Sequence, residues 1–258
     1  MESLRDKLSV SSKKIIITGG ARGIGKTVGT YLAREGAEIA VVDLNGAMAQ
    51  EAAQDIAKET GSKCAAYPCD VTDPKQVADM VDAVAKDFGR IDAVFSNAGI
   101  CQHKAALDIS YEEWFKVVNV NLNGMFIVAQ AVGKYFVKNS IRGSIVCTAS
   151  MSGTIVNIPQ KQASYNASKA GVAHLAKSLA VEWAEYGIRV NSISPGYIAT
   201  EMTAMADEKL RNIWTDMIPF KRMGTPDELA GAVLYLMSDA AAYTSGCDMI
   251  IDGCFTCV

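Results

Sequence analysis

The stretch Thr18-Gly-Gly-Ala-Arg-Gly-Ile-Gly25 decides the fold, because it joins a short β-rich run to a helical pattern. The run Lys14–Thr18 precedes it, and a helical stretch from about Gly23 to Glu35 follows it. Glycines at such a junction allow a sharp turn and a close approach of the backbone to a pyrophosphate. The amino end of the helix adds unpaired N–H groups and the positive end of its dipole. The residues predicted to bind a dinucleotide here are Gly19, Arg22, Gly23, Ile24 and Gly25.

Outward from this stretch, continuous Ile/Val/Ala runs alternate with helical patterns of ten or more residues along the whole chain. Such alternation is typical of βαβ units, whose parallel strands are covered on both faces. We therefore predict an α/β fold of the doubly wound Rossmann type, with about seven strands in a single domain spanning residues 1–258. The less regular segment 196–224 is predicted to form a lid on the substrate side.

Composition excludes several classes of partner. The chain has 258 residues, of which 50% are hydrophobic and 21% charged, with a net charge of −3. A nucleic-acid-binding protein should carry a basic patch, and the longest Lys/Arg run is the pair Lys13-Lys14. No stretch approaches 18 consecutive apolar residues, and the mixed-charge start lacks the apolar region of a signal peptide. We expect neither nucleic acid nor a membrane as partner.

Seven cysteines, an odd number, are scattered through apolar sequence. This pattern favours reduced thiols in the cytoplasm over a disulfide framework. Cys254 and Cys257 form the only CxxC, and His103 and His174 are the only histidines. Because a zinc site needs a second pair of ligands, we expect no metal.

The second predicted strand ends at Asp43, eighteen residues after Gly25. An acidic side chain there can accept hydrogen bonds from a ribose 2′-OH and would repel a 2′-phosphate. Arg22 could instead face a 2′-phosphate, but no basic residue follows Asp43 directly. The sequence therefore favours NAD over NADP.

Tyr165 and Lys169 in Tyr165-Asn-Ala-Ser-Lys169 lie in a helical pattern, and their spacing puts both on one helix face. The pKa of a tyrosine phenol in model peptides is about 10. A neighbouring ammonium favours the phenolate, so Tyr165 is predicted to exchange protons nearer neutral pH.

The chain resembles the short-chain dehydrogenase/reductase family over essentially its whole length. The segments that carry the resemblance are, in order, Thr18–Gly25 (TGGARGIG), Asp70-Val71, Asn97-Ala-Gly99, Asn121 in NVNLNG, Ser150 in TASMSG, Tyr165 and Lys169 in YNASK, and Pro195-Gly196 in SPGYIAT. The resemblance implies an enzyme that transfers a hydride between a nicotinamide cofactor and a secondary alcohol or ketone.

The resemblance also implies residue roles. Tyr165 is the catalytic acid/base, and Lys169 holds the nicotinamide ribose and lowers the pKa of Tyr165. Ser150 binds the substrate oxygen, with Ser152 as a rival, and Asn121 helps to hold a water chain to Lys169. Further residues implied to contact the cofactor are Asp70, Val71, Asn97, Ala98, Gly99, Tyr165, Lys169, Pro195, Gly196, Ile198 and Thr200.

The predicted strand ends support this assignment independently. Six of the candidate positions fall at carboxyl ends of predicted strands, where ligands bind in open parallel sheets. These positions are Thr18, Asp43, Asp70, Asn97, Ser150 and Pro195.

Similarity to one branch of the family and a set of polar residues indicate the substrate class. The stretch 150–172, with SLAVEWA after it, is similar to the polyol and ketose (mannitol- or sorbitol-type) branch of the family. The residues predicted to bind substrate are Ser150, Ser152, Asn157 and Tyr165, and Gln102, His103 and Gln160 offer further hydrogen bonds. A 3-oxoacyl-[acyl-carrier-protein] reductase, a hydroxysteroid dehydrogenase and, from a different class, a non-enzymatic cofactor-sensing protein remain alternatives.

The two long helical patterns, at about 111–137 and 162–186, carry apolar residues on more than one face. A helix that is apolar nearly all round is buried. In the resembled family these helices form a dimer interface and dimers pair into tetramers, so we predict a homotetramer.

Overall fold

One parallel sheet organises the part of the chain described by the computed structural model, residues 3–258. Its strands are β1 (Lys14–Thr18), β2 (Glu38–Asp43), β3 (Cys64–Pro68), β4 (Ala93–Ser96), β5 (Ser144–Thr148), β6 (Arg189–Pro195) and β7 (Asp248–Ile251). They lie in the order β3-β2-β1-β4-β5-β6-β7, and every neighbouring pair is parallel. The predicted doubly wound fold is confirmed.

Helices cover both faces of the sheet. They are α1 (Leu4–Leu8), α2 (Gly23–Arg34), α3 (Gly46–Thr60), α4 (Pro74–Phe88), α5 (Tyr111–Val118), α6 (Gly124–Lys138), α7 (Ala163–Glu182), α8 (Glu201–Ala204), α9 (Glu208–Met217) and α10 (Ala230–Met237). The pattern at 111–137 is two helices joined by a π-helical turn, Asn119–Asn123. The segment expected to be irregular contains the short helices α8 and α9.

Local sequence fixes where several helices begin and end. Helix α4 has Asp73 as its cap, accepting from the amides of Lys75 and Gln76, with Pro74 at the first helical position. It ends at Gly89, whose φ of 81° lies in the left-handed region. Helix α2 differs, because no side chain caps its amino end. Its first amides are therefore open to a ligand.

The sheet order places a crevice beside the glycine-rich turn. The chain builds outward from β1 to β3, then crosses back to place β4 on the other side of β1. Thr18 and Ser96, the last residues of these two strands, are directly paired. A reversal of strand order of this kind opens a binding crevice at the carboxyl ends of the strands.

Two apolar layers hold the sheet between the helices. One contains Ile16, Val94 and Ile145 from the sheet with Val128 and Val172 from the helices, all fully buried. The other packs α2, α3 and α10 against the opposite face. A smaller third cluster comprises Met151, Tyr197, Trp214, Ile218 and Phe255. This cluster joins the segment 196–224 to the carboxyl-terminal residues.

The stretch Tyr111–Lys138 is long and apolar enough, by length and composition, to cross a membrane. Its inward side chains, including Met125, Val132 and Phe136, are buried in the first apolar layer. Packing against the sheet accounts for these inward side chains, whereas Tyr111, Phe115 and Phe126 of the same stretch are exposed.

Candidate active site

The glycine-rich turn is built around close backbone approaches. Gly19 and Gly23 have φ of 62° and 52°, in the left-handed region that glycine adopts without strain. A Cβ at Gly25 would overlap the carbonyl oxygen of Gly19. The turn therefore depends on these glycines, and it leads directly into the uncapped amino end of α2.

A groove of about 720 Å³ lies beside this turn, between α2, α3 and the segment 199–211. Its charged lining is mixed, with the cations Arg22, Lys26 and Arg211 and the carboxylates Glu51 and Glu201. Lys26 is paired with Asp55 at 2.7 Å, and Arg211 donates to the carbonyls of Ala204 and Ala206. The exposed Arg22 forms no ion pair within residues 3–258. The open helix amides and this cation fit an anionic group.

Asp43 lies at the end of β2, as predicted, but its carboxylate is already hydrogen-bonded. Oδ2 accepts from the amide of Ala21 at 3.3 Å, and Oδ1 accepts from the amide of Asn45 at 3.1 Å. Asp43 thus braces the glycine-rich turn against the start of the loop before α3.

Asn97, predicted to line the cofactor, links three strand ends. Its Nδ2 donates to the Gly19 carbonyl at 3.2 Å, and its Oδ1 accepts from Thr148 Oγ1 at 3.1 Å. Thr18 Oγ1 accepts from the amides of Asn97 and Ala98 at 3.0 and 3.2 Å. These bonds fix the carboxyl ends of β1, β4 and β5 relative to one another.

Tyr165 and Lys169 lie one turn apart on α7, facing the end of β5. Lys169 Nζ lies 5.7 Å from the centre of the Tyr165 ring and donates to the Thr148 carbonyl at 2.6 Å. Ser150, two residues beyond β5, borders the same cavity as Tyr165. The structure therefore brings together Ser150, Tyr165 and Lys169.

Burial governs the protonation of this group. It raises the pKa of the Tyr165 phenol, and the nearby Ser150 hydroxyl acts in the opposite direction. It lowers the pKa of the Lys169 ammonium to about 8. The lowering predicted for Tyr165 from its neighbouring ammonium is outweighed, because desolvation disfavours the phenolate. At neutral pH the phenol holds its proton and can donate it.

Asn121 lies in the π-helical turn and is fully buried. Its Oδ1 accepts from the amide of Ile100 at 2.8 Å. Its Nδ2 donates to the Ile100 carbonyl at 2.9 Å and to Ser168 Oγ at 3.0 Å. The side chain thus ties the loop after β4 to α7, and its predicted part in a water chain stays a prediction.

The remaining predicted cofactor residues line the same edge of the sheet. Asp70 Oδ1 accepts from the amide and hydroxyl of Thr72, while Val71 is buried against Gly124. On the opposite side, Pro195 ends β6 and the Gly196 amide donates to the Ile251 carbonyl at 2.9 Å. Further residues around the cavity beside Tyr165 are Ile24, Ile198 and Thr200, and Gly99 lies against Asn121 and Lys169.

A cavity of about 310 Å³ opens beside Ser150 and Tyr165. Its polar lining includes Ser152, Asn157, Gln160, Gln162, His103 and Tyr197, and its apolar lining includes Met151, Met202, Met205 and Trp214. All four residues predicted to bind substrate therefore border one cavity. Gln102 does not take part, since its Nε2 donates to Glu113 instead.

Tyr197, Gln162 and Cys101 are among the lining residues that the sequence did not single out as site residues, although they lie in segments expected to form the edge of the site. Tyr197 and Gln162 reach the cavity through contacts between distant segments. Cys101 lies beside Tyr165 and Lys169, and burial raises the pKa of its thiol to about 11. The available signal was position: Tyr197 directly follows Pro195-Gly196, and Cys101 lies two residues after Gly99.

Comparison with known proteins agrees with this geometry. A family model described as "Enoyl-(Acyl carrier protein) reductase" matches residues 19–256. The chain belongs to the short-chain dehydrogenase/reductase family, and it is an oxidoreductase acting on CH–OH groups.

Individual relatives are similar over nearly the whole chain. The sorbose reductase of Candida albicans is 45% identical over 98% of this chain and 90% of its own length. The NADP-dependent mannitol dehydrogenase of Hypocrea jecorina is 43% identical over 98% of this chain and 96% of its own length. A crystal structure of a short-chain type dehydrogenase/reductase from Mycobacterium marinum matches with a TM-score of 0.95 and 44% identity, covering 99% of this chain and 100% of that one.

The prediction of NAD is wrong. The relatives named by cofactor, including the mannitol dehydrogenase of Hypocrea jecorina, are NADP-dependent. The sequence argument gave too much weight to Asp43 and too little to Arg22. The Asp43 carboxylate accepts from the Ala21 and Asn45 amides and so braces the turn, whereas the exposed Arg22 guanidinium beside the same turn has no ion-pair partner within residues 3–258 and can bind an anion.

Proposed function

We propose that this protein is an NADP(H)-dependent oxidoreductase that interconverts a sugar alcohol and its ketose. The observation that carries the proposal is the polar cavity beside the Ser150–Tyr165–Lys169 group. Relatives at this level of identity that are named as sorbose reductase and mannitol dehydrogenase support the same substrate class. A cavity with several hydrogen-bonding side chains suits a substrate with several hydroxyls, because it disfavours analogues that leave those side chains unpaired.

The glycine-rich turn and its groove would hold the dinucleotide. The amides at the start of α2 would bind the pyrophosphate, and Arg22 would bind the 2′-phosphate. Lys169 would hold the nicotinamide ribose hydroxyls, with Asn97, Ala98 and Gly99 along the same side. When bound, the nicotinamide would supply the hydride for ketone reduction or accept it in alcohol oxidation.

Proton transfer is assigned to Tyr165. In reduction its phenol donates the proton to the carbonyl oxygen as the carbonyl carbon receives the hydride. Ser150 positions that oxygen through a hydrogen bond, with Ser152 as the neighbouring hydroxyl. Burial keeps the phenol protonated at neutral pH, and this is the form that donates the proton in reduction. Asn121 is assigned a positioning role, since it anchors α7 to the loop after β4.

Recombinant protein, NADPH and a panel of ketoses test this assignment. Sorbose and fructose should be reduced, and Tyr165→Phe should lower kcat by about 10²- to 10⁴-fold. Tyr235→Phe is a matched control, because its hydroxyl pairs with Thr244 away from the cavity. Turnover of only steroids or acyl thioesters would refute the sugar assignment, and equal rates for wild type and Tyr165→Phe would refute the mechanism.

We propose a homotetramer in the cytoplasm. Helices α5, α6 and α7 carry exposed apolar side chains that a second copy could cover. They are Tyr111 and Phe115 on α5, Phe126 on α6 and Val181 on α7. All seven cysteines are free thiols, which suits a reducing compartment. Light scattering should give about four times 27.5 kDa, and a mass near one chain would contradict the assembly. A fluorescent fusion tests the compartment.

A further inference from the structure

The ring of Tyr197 is fixed in the wall of the substrate cavity. It stacks on Trp214 with ring centres 4.5 Å apart and an interplanar angle of 11°. Phe255 meets it edge-on at 5.5 Å and 82°. Only 8% of Tyr197 is exposed. Packing on both sides leaves this ring little freedom to turn.

The Tyr197 oxygen is fixed as well, by two amide donors. Gln160 Nε2 donates to it at 2.8 Å, and Asn157 Nδ2 donates to it at 3.2 Å. Both amides are anchored at their other ends. Gln160 Oε1 accepts from Trp214 Nε1 at 2.9 Å, and Asn157 Oδ1 accepts from Gln162 Nε2 at 3.0 Å. Neither amide can therefore turn away without losing a second hydrogen bond.

These two hydrogen bonds leave the O–H of Tyr197 free to donate. Both amide nitrogens can only donate, so the phenolic oxygen is the acceptor in both bonds and its own proton is used in neither. Within residues 3–258 the Tyr197 hydroxyl donates to no other group. Burial raises the pKa of Tyr197, so the proton stays on the oxygen at neutral pH. The cavity thus contains a rigid O–H donor separate from Ser150 and Tyr165.

Resting on the proposed function, we propose that Tyr197 is a specificity-determining residue whose O–H donates to a substrate hydroxyl other than the reacting oxygen. A polyhydroxylated ketose satisfies this donor. A ketone without that hydroxyl leaves it unpaired in a partly desolvated cavity, which disfavours the complex. Gln160 and Asn157 then act as positioning residues, because their amides hold the Tyr197 oxygen.

Tyr197→Phe tests this role, since it removes the oxygen and keeps the stacked ring. NADPH-dependent kcat/KM is measured for D-fructose and for 2-hexanone, which has the same chain length and carbonyl position without the hydroxyls. For fructose kcat/KM should fall about 10- to 100-fold, mainly through KM, because the bond is present in both ground and transition states. For 2-hexanone kcat/KM should not fall and should rise if it changes, because no hydrogen bond is lost and the unpaired donor is removed. Tyr235→Phe, whose hydroxyl pairs with Thr244 at 2.9 Å, should change neither value.

A merely structural role of Tyr197 would lower kcat/KM for both substrates together. Equal losses of kcat/KM, or no loss for fructose, would therefore overturn the assignment without refuting ketose reduction by the wild type. Wild-type protein gives a second test that does not depend on the folding of a variant. Among monodeoxyfructoses, one should have a wild-type kcat/KM below that of fructose by about the factor that Tyr197→Phe causes with fructose. If no member of the series has a kcat/KM more than about threefold below that of fructose, the inference is overturned. A wild type that reduces no ketose would refute the proposed function, and this inference with it.

Discussion

Replacing Arg22 with Ala should weaken NADPH binding without weakening NADH binding. Arg22 borders the groove beside the glycine-rich turn, is exposed and has no ion-pair partner within residues 3–258. NADPH and NADH differ only in the 2′-phosphate. A side chain that binds this phosphate therefore affects the two cofactors differently, whereas damage to the turn affects both.

The expected rise in Kd for NADPH follows from the type of hydrogen bond that Arg22 makes and from its exposure to solvent. Hydrogen bonds to charged groups contribute about 1.5–3 kcal/mol. Because Arg22 is exposed to solvent, the lower end applies, about 1.5 kcal/mol, or roughly a tenfold rise in Kd for NADPH. For NADH the change should stay under about twofold.

Titration of nicotinamide fluorescence gives both dissociation constants. Lys26→Ala is the matched control, because Lys26 borders the same groove but is already paired with Asp55 at 2.7 Å. Its effect on the NADPH/NADH ratio should be smaller than that of Arg22→Ala. If Arg22→Ala weakens the two cofactors equally, or leaves both unchanged, Arg22 does not bind the 2′-phosphate.

Two further predictions concern the turn and the pH profile. Gly25→Ala should abolish NADPH binding and lower the melting temperature, because the new Cβ would overlap the Gly19 carbonyl oxygen. Gly231→Ala is the control and should do neither, because no atom lies within 4 Å of a Cβ at Gly231. Equal melting temperatures for the two variants would contradict the packing assigned to the turn. Since the pKa of Lys169 is lowered to about 8, its positive charge is present below that pH and lost above it. The reductive rate should therefore fall about tenfold between pH 7 and pH 9. In Lys169→Arg, which keeps its charge, the remaining reductive rate should not depend on pH over this range. A wild-type rate that stays level to pH 9 would show that this charge is not needed.

Much of the fold was predictable because it depends on local patterns. Continuous apolar runs separated by helical patterns define parallel strands, and their order along the chain places Thr18, Asn97 and Ser150 near one edge. The i, i+4 spacing of Tyr165 and Lys169 likewise puts both on one face of α7. These features need no knowledge of which distant segments meet.

The features that sequence patterns missed depend on contacts between distant segments. The bracing of the turn by Asp43 and the position of Arg22 in the groove depend on how the glycine-rich turn folds back, so the sequence alone did not favour NADP. Tyr197 becomes a fixed donor only when Trp214 and Gln160, distant in sequence, pack around it. The π-helical turn at Asn121 breaks a pattern that reads as one continuous helix.

Hydride transfer to a sugar carbon is the central claim, and isotope transfer tests it most directly. The protein is incubated with D-fructose and NADPH carrying deuterium at both C4 positions of the nicotinamide, and the hexitol product is analysed by mass spectrometry and NMR. The account predicts one deuterium per product molecule, bound at C2, and product formation that falls about 10²- to 10⁴-fold with Tyr165→Phe. Hexitol without deuterium, or no hexitol from fructose or any other ketose, would contradict it.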